Sequence, residues 1–100
     1  MSDTLPELVL VIQIKFPLGH LVATPGVLES IPHEEMQIAL NRHANGDWGL
    51  LDEEDLKAND QALTQHTRLL SAYESKDGIR FWIITEADRS VTTFLLPMEY

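Results

Sequence analysis

The hydrophobic pattern changes its period along the chain and so separates predicted strands from predicted helices. Leu8–Phe16 is a short, nearly unbroken apolar run rich in β-branched side chains, which predicts a strand. His20–Ala23 is a candidate for a second, shorter strand. Thr24 then offers an N-cap, and a proline follows at the first helical position, which predicts a short helix over Pro25–Ile31.

Two longer amphipathic helices are predicted next. The first spans Pro32–His43, and its inward stripe is Met36, Ala39, Leu40 and His43. The second spans about Glu53–His66 after an N-cap at Asp52, and its inward stripe is Leu56, Asn59 and Leu63, with Ala62 beside it. Acidic side chains occupy the first turn of both helices, where they complement the helix dipole. Trp48, in the connector between the helices, is expected to be buried.

The last third of the chain changes to strand period. Three runs, Arg68–Glu74, Ile79–Thr85 and Val91–Leu96, are separated by turn residues and predict a three-stranded antiparallel meander. Asp77 and Gly78 form a strong hairpin signal between the first two runs, so a loop of two to four residues is expected there.

These elements together predict one domain over residues 1–100 with an α+β fold. Its antiparallel sheet combines the C-terminal three-stranded meander with an N-terminal strand, and two to three helices lie on one side. Residues 1–15 form an N-terminal extension that contributes that strand. The second face of the meander is apolar enough to indicate a further covering or a partner.

The charge balance excludes several classes of partner. The chain has 16 acidic and 7 basic side chains and a formal net charge of −9. Bare nucleic acid and anionic membranes are bound through Lys and Arg, so neither is expected as a direct partner. The absence of cysteine excludes a thiol nucleophile and a Cys-ligated zinc site. No secretory signal or membrane span is evident, which predicts a cytoplasmic protein.

The acidic side chains are concentrated in the helical half. Residues 29–60 contain nine acids and two bases. Such a surface attracts a basic partner and accelerates the encounter with it. The alternative is a solvated face that only keeps the chain soluble. The predicted partner-binding residues, on the solvent sides of the two helices, are Glu34, Glu35, Glu53, Glu54 and Asp60.

Two pairs of residues are candidates for chemistry. His43 and Asp47 could form a base held by a carboxylate, and Glu86 and Asp88 could bind a cation. The favoured alternative is structural: His43 closes a helix, Asp47 bonds turn amides, Asp88 caps a turn and Arg89 pairs with an acid. No catalytic residue, metal ligand or cofactor is therefore predicted.

Several stretches resemble a family of small proteins from bacterial plasmids, prophages and integrative elements. They are Phe16–Gly26, Arg42–Gly49, Leu69–Tyr73, Trp82–Thr93, Leu95–Pro97 and Glu99–Tyr100. The resemblance covers residues 16–100 and implies a mobile-element setting in a bacterial host. Some members carry the label of a type I restriction-modification subunit, but this chain has no motif for binding a methyl donor. Residues 1–15 extend beyond the family pattern.

Three hypotheses for function follow. The first is a non-enzymatic accessory protein of a mobile element that binds and blocks a host defence complex through its acidic surface, in the manner of anti-CRISPR or anti-restriction proteins. Its expected partner is a protein complex that handles nucleic acid and has a basic surface. The second is a small hydrolytic or metal-dependent enzyme that uses His43, Asp47, Glu86 and Asp88. The third is a structural assembly subunit, and a homodimer stays open as an assembly.

Overall fold

Three helices pack on one face of a four-stranded sheet in the computed structural model, which describes residues 14–100. In chain order the elements are β1 (His20–Ala23), α1 (Pro25–Ser30), α2 (His33–Ala44), α3 (Glu53–Gln65), β2 (Leu69–Glu74), β3 (Arg80–Thr85) and β4 (Val91–Leu95), followed by a 3₁₀ turn (Pro97–Glu99). The spatial order of the strands is β1-β4-β3-β2. The predicted α+β fold and the C-terminal meander are confirmed.

The N-terminal strand of the sheet differs from the prediction. The strand predicted over Leu8–Phe16 lies mostly outside the described residues, and residues 14–16 are not in a strand. Within the described residues β1 takes that place, and it pairs with β4 in parallel. The sheet is therefore mixed rather than antiparallel. Since β1 and β2 run in the same direction, the chain must cross back over the sheet between them, and the three helices make that crossover.

The helices begin where capping residues stand in the sequence. The Thr24 hydroxyl accepts a hydrogen bond from the N–H of Val27, and the Asp52 carboxylate accepts one from the N–H of Asp55 at 2.9 Å. Each bond satisfies an N–H that the helix itself cannot pair. Within residues 14–100, no helix is both long enough and apolar enough to cross a lipid bilayer.

The β2–β3 hairpin closes at the predicted turn. The N–H of Ser75 bonds the carbonyl of Ile79 at 2.9 Å, which leaves three residues in the loop. Gly78, the last of them, has a φ of +81°. Three-residue hairpin loops need this left-handed conformation at that position, and glycine adopts it without strain.

The main core lies between α1, α2 and the sheet. Its sheet side consists of Tyr73, Phe81, Ile83 and Phe94, which register as neighbours on one face of three strands. Its helix side consists of Val27, Ile31, Met36 and Ala39. The strand period of two and the helix period of 3.6 thus bring their apolar positions to one layer, as predicted.

A second core cluster holds α3 and the connector before it. Trp48 is buried there with Phe16, Ala62 and Leu69, which confirms its predicted burial. The connector also follows the outer edge of β2, because the N–H of Ala72 donates to the carbonyl of Trp48 at 3.1 Å and the Ala72 carbonyl accepts from the N–H of Leu50 at 2.8 Å. One edge of the sheet is therefore covered by the chain itself.

Candidate functional site

The helical face of the sheet encloses a histidine and a chain of hydroxyl groups. His43, in the last turn of α2, has both ring nitrogens bonded: Nδ1 lies 2.5 Å from Ser71 Oγ and Nε2 lies 2.9 Å from Thr85 Oγ1. Thr85 Oγ1 is in turn 2.7 Å from Thr92 Oγ1, and Thr92 donates to the carbonyl of Leu18 at 2.7 Å.

The direction of these hydrogen bonds fixes the form of the imidazole. Thr92 gives its proton to a carbonyl, so Thr85 must donate to Thr92. Thr85 then has no proton left for His43, and Nε2 carries the ring hydrogen that it donates to Thr85. In the neutral imidazole, which burial favours, Nδ1 has no hydrogen and accepts from Ser71. The partners of His43 thus select one tautomer of the neutral ring.

Burial keeps His43 neutral. The side chain has no exposed surface, and burial lowers the pKa of His43 to about 3, with the positive charge of Arg89 adding to the shift. The rings of Phe16 and Trp48 enclose it at centroid distances of 5.2 and 5.6 Å. A base or metal ligand must reach its substrate or ion, and this ring has no exposed surface. The group is built to hold α2 against β2 and β3.

Asp47 does not pair with His43. Its carboxylate forms two hydrogen bonds with the guanidinium of Arg42, at 2.7 and 3.2 Å, and one with the N–H of Gly49 at 3.3 Å. The hydrogen bond to Arg42 is the main cause that lowers the pKa of Asp47. The predicted bonding of Asp47 to a turn amide is confirmed. Asp47 also forms an ion pair with Arg42.

The turn before β4 is also structural. Asp88 accepts from the N–H and hydroxyl of Ser90, at 3.0 and 2.6 Å. The expected pairing of Arg89 with an acid is wrong, because its guanidinium donates to four backbone carbonyls, among them those of Ala62 at 2.9 Å and Thr67 at 2.7 Å. The carbonyls of Ala62 and Thr67 lie in the last turn of α3 and in the segment before β2, so Arg89 fastens the end of this helix to the turn before β4. Within residues 14–100, no three His, Asp or Glu side chains gather as a metal site.

The predicted acidic surface divides into two kinds of residue. Glu34, Glu53 and Glu54 are exposed, and the one ion pair among residues 14–100 joins Arg42 and Asp47, so these three carboxylates have no cationic partner within that range. Their charge is therefore directed to solvent.

The other two predicted residues are tied into the fold. Glu35 is half-buried and accepts from the N–H of Lys76, in the β2–β3 loop, at 2.9 Å. Asp60 is exposed, but its Oδ1 accepts from the indole N–H of Trp48 at 3.1 Å. Reversing the charge of either residue therefore changes more than the surface.

Sequence reasoning missed the partners of His43. Ser71 lies in β2 between two inward apolar residues, and Thr85 is in phase with Phe81 and Ile83 in β3. One sequence signal could have indicated these hydrogen bonds. Ser71 and Thr85 are hydroxyl residues at inward strand positions, and His43 is at an inward helix position. Comparisons with protein families, with curated proteins and with solved structures find no match to this chain. The resemblance to plasmid and prophage proteins thus stays a prediction.

Proposed function

We propose that this chain is a non-enzymatic accessory protein of a mobile element, and that it binds and blocks a host defence complex through an acidic surface. The observation that carries the proposal is the exposure of Glu34, Glu53 and Glu54 without cationic partners among residues 14–100. Carboxylates in that state create a field that draws a basic surface toward the helices.

The distribution of charge supports a protein partner with a basic groove. Residues 29–60 carry nine acids and two bases, whereas the remaining chain is close to balanced. Complexes that cut or methylate nucleic acid, or that are guided by it, need Lys and Arg along the path of the phosphates. A rigid helix that presents carboxylates can occupy such a path in place of the phosphates. In a bacterial host this encounter takes place in the cytoplasm.

The chemistry of the candidate catalytic residues supports binding rather than catalysis. His43 is enclosed and neutral, Asp47 is bonded to Arg42, and Asp88 is bonded to Ser90. Each of these groups already has a partner that explains its position. Three of the four residues that the enzyme hypothesis needs, all but Glu86, are therefore engaged in structural contacts.

The test begins with affinity purification of the tagged full chain from a bacterial host that carries restriction and CRISPR systems, followed by mass spectrometry. The decisive comparison is between Glu53→Lys/Glu54→Lys and the charge-matched control Glu29→Lys/Asp77→Lys. All four residues are exposed, and none accepts a side-chain hydrogen bond within residues 14–100. Glu29 lies on α1, which packs on β4, and Asp77 lies in the β2–β3 loop, so neither control position is on α3.

Both variants raise the net charge equally, so a difference between them reports position rather than total charge. We expect the α3 variant to lose the partner and the control to retain it. The affinity of the parent should also fall as salt is raised, because screening shortens to roughly 8 Å at physiological ionic strength. Circular dichroism verifies folding, since Lys in the first turn of α3 opposes the helix dipole at about 0.3–1 kcal/mol each.

Equal binding by the two variants would refute the acidic surface as the contact. Inhibition is tested separately, by assaying the activity of the captured complex with and without the protein. A stable complex that remains fully active would favour the structural assembly hypothesis instead.

A further inference from the structure

Within residues 14–100, no segment covers the outer edge of β1. Whereas the connector at Trp48 covers the β2 edge, no segment among residues 14–100 pairs with the free side of β1. Leu21 and Val22 are 51% and 45% exposed there. Edge strands usually carry a lysine, a proline or a bulge that prevents pairing with another chain, and His20–Ala23 has no lysine or proline.

The hydrogen bonds of β1 show which backbone groups face outward. The N–H of His20 donates to the carbonyl of Ser90 at 2.9 Å, and that of Thr24 donates to the carbonyl of Phe94 at 3.0 Å. Alternate residues of a strand bond the same neighbour, so Val22 also faces β4. The N–H and C=O groups of Leu21 and Ala23 therefore point away from the sheet, symmetrically about Val22.

The charge distribution favours a second copy of this chain at that edge. No Asp or Glu occurs between Leu8 and Leu28, although the chain has a net charge of −9. Two such acidic chains repel one another over most of their surface, whereas β1 itself carries no carboxylate, and the Glu99 carboxylate beside it is already hydrogen-bonded to Thr24. A basic partner would instead be drawn to the acidic helices.

We propose that β1 pairs antiparallel with β1 of a second copy, about a twofold axis that passes beside Val22. In this register Leu21 of each copy lies opposite Ala23 of the other, and the two pairs exchange four backbone hydrogen bonds. The two sheets become one sheet of eight strands, and the interface is self-complementary, as a twofold axis requires.

The side chains on the helical side of β1 fit this arrangement. Leu21 and Ala23 register with Thr92 and Phe94, whose side chains face the helices. Next to them lies an open groove of about 330 Å³, lined mainly by apolar side chains, among them Leu21, Ala23, Leu28 and Phe94, with His33 and Gln37 also in its wall. Because Ala23 is small, it leaves space for Leu21 of the second copy at the mouth of this groove.

The opposite side of β1 supplies a hydrogen-bond donor and an acceptor that complement each other. The proposed register places His20 of one copy opposite Thr24 of the other. The Thr24 hydroxyl donates to the Glu99 carboxylate at 2.5 Å, so that carboxylate stands where His20 of the second copy arrives. The symmetry produces this imidazole–carboxylate contact twice. The dimer uses none of the acidic residues of the proposed function, so the two proposals can fail independently.

One introduced cysteine tests the register directly, because the natural sequence of this chain has no cysteine that could compete with it. Val22 meets itself across the axis as a non-hydrogen-bonded pair, in which Cα atoms lie about 4.5 Å apart, within the range for a disulfide. Val22→Cys should therefore give a covalent dimer under mild oxidation. Ile38→Cys, on α2 and 61% exposed, is the control for random collisions. Cross-linking of Val22→Cys no faster than Ile38→Cys would overturn the register.

The same position tests the dimer without covalent chemistry. Val22→Lys places two ammonium groups opposite each other at the axis, which destabilises a cross-strand pair. Sedimentation of the purified full chain should show a dimer for the parent and for Ile38→Lys, and a dissociation constant roughly fivefold larger for Val22→Lys. Circular dichroism confirms that each variant is folded. A parent that sediments as a monomer at every concentration would refute the proposal.

Discussion

The indole Nε1 of Trp48 donates to Oδ1 of Asp60 across 3.1 Å, so the connector after α2 is fastened to the middle of α3. Trp48 is only 3% exposed, and its N–H therefore depends on this acceptor. The helical period places Asp60 on the solvent side, and its side chain is indeed exposed. Asp60 is thus an acid at the surface whose role in the fold is independent of any partner.

We predict that Asp60→Lys destabilises the protein, whereas Glu54→Lys has a small effect. Loss of the acceptor leaves a buried N–H unpaired at a cost of about 1–3 kcal/mol, while Lys at position 54 opposes the helix dipole at only about 0.3–1 kcal/mol. Urea denaturation of both variants measures the difference. Asp60→Asn retains an acceptor oxygen and should recover most of the loss. Equal urea midpoints for Asp60→Lys and Glu54→Lys would contradict the prediction.

Gly49→Ala should be the more damaging of two matched glycine substitutions. Both Gly49 and Gly78 have positive φ, at +76° and +81°, so both variants carry a similar backbone strain of roughly 1–2 kcal/mol. A Cβ at Gly49 would collide with the carbonyl of Ala72 and lie 2.9 Å from the Tyr73 ring, whereas a Cβ at Gly78 meets nothing within 4 Å.

The excess loss for Gly49→Ala over Gly78→Ala therefore measures the contact between the connector and β2. We expect that excess to be on the order of 2 kcal/mol or more, because rigid backbone cannot move aside as a flexible side chain does. Thermal or urea unfolding provides the measurement. Similar losses in both variants would mean that the connector can separate from β2 at little cost.

The elements that depend on local signals were predictable. The side chains of Thr24 and Asp52 cap helices by bonding backbone only three residues away, and Gly78 forms its turn through its own conformation. The burial of Trp48 follows from its large apolar side chain in a short connector. The neighbour of β1 was not predictable, because four residues of strand carry no information about whether they join an edge in parallel or antiparallel.

The candidate site was less predictable than the fold. His43 finds its partners 28 and 42 residues further along the chain, and no local spacing encodes that meeting. The acidic residues show the same limit. Helical period correctly placed Glu54 in solvent, but the bonds of Glu35 to Lys76 and of Asp60 to Trp48 arise only when separate elements pack together.

Glu99→Gln should loosen the C-terminal 3₁₀ turn. The Glu99 carboxylate accepts from the Thr24 hydroxyl and from the N–H groups of Gly26 and Leu96, and these bonds, the Thr24 bond first, lower the pKa of Glu99. A lowered carboxyl pKa stabilises the fold above the ordinary pKa, and that contribution is lost as the pH falls. We expect a lower melting temperature and faster amide exchange at Gly26 and Leu96.

The control for this variant is Glu29→Gln, which removes an exposed carboxylate from α1. Both should be measured in the Val22→Lys background, so that the proposed dimer contact of Glu99 does not contribute. Unchanged amide exchange at Gly26 would show that the carboxylate does not hold the turn to α1.

The pH dependence of stability should report the buried His43. Its folded pKa is lowered to about 3, while a histidine in the unfolded chain titrates near 6.5. Below about pH 6.5 the unfolded chain binds a proton at His43, whereas the folded protein does not. The free energy of unfolding therefore falls as the pH drops, by up to about 1.4 kcal/mol per pH unit. Above that pH the histidine contributes no slope.

The interval from about pH 5 to 6.5 separates this effect from the carboxyl groups, which titrate near pH 4. Urea denaturation across the interval should show the slope in the parent and in His33→Gln, whose histidine is exposed. His43→Gln should flatten the slope and lower stability at neutral pH, because the glutamine amide cannot reproduce both ring hydrogen bonds. If His43→Gln does not fold, NMR of the parent decides: a His43 ring that titrates near pH 6.5 in the folded state would refute its enclosure.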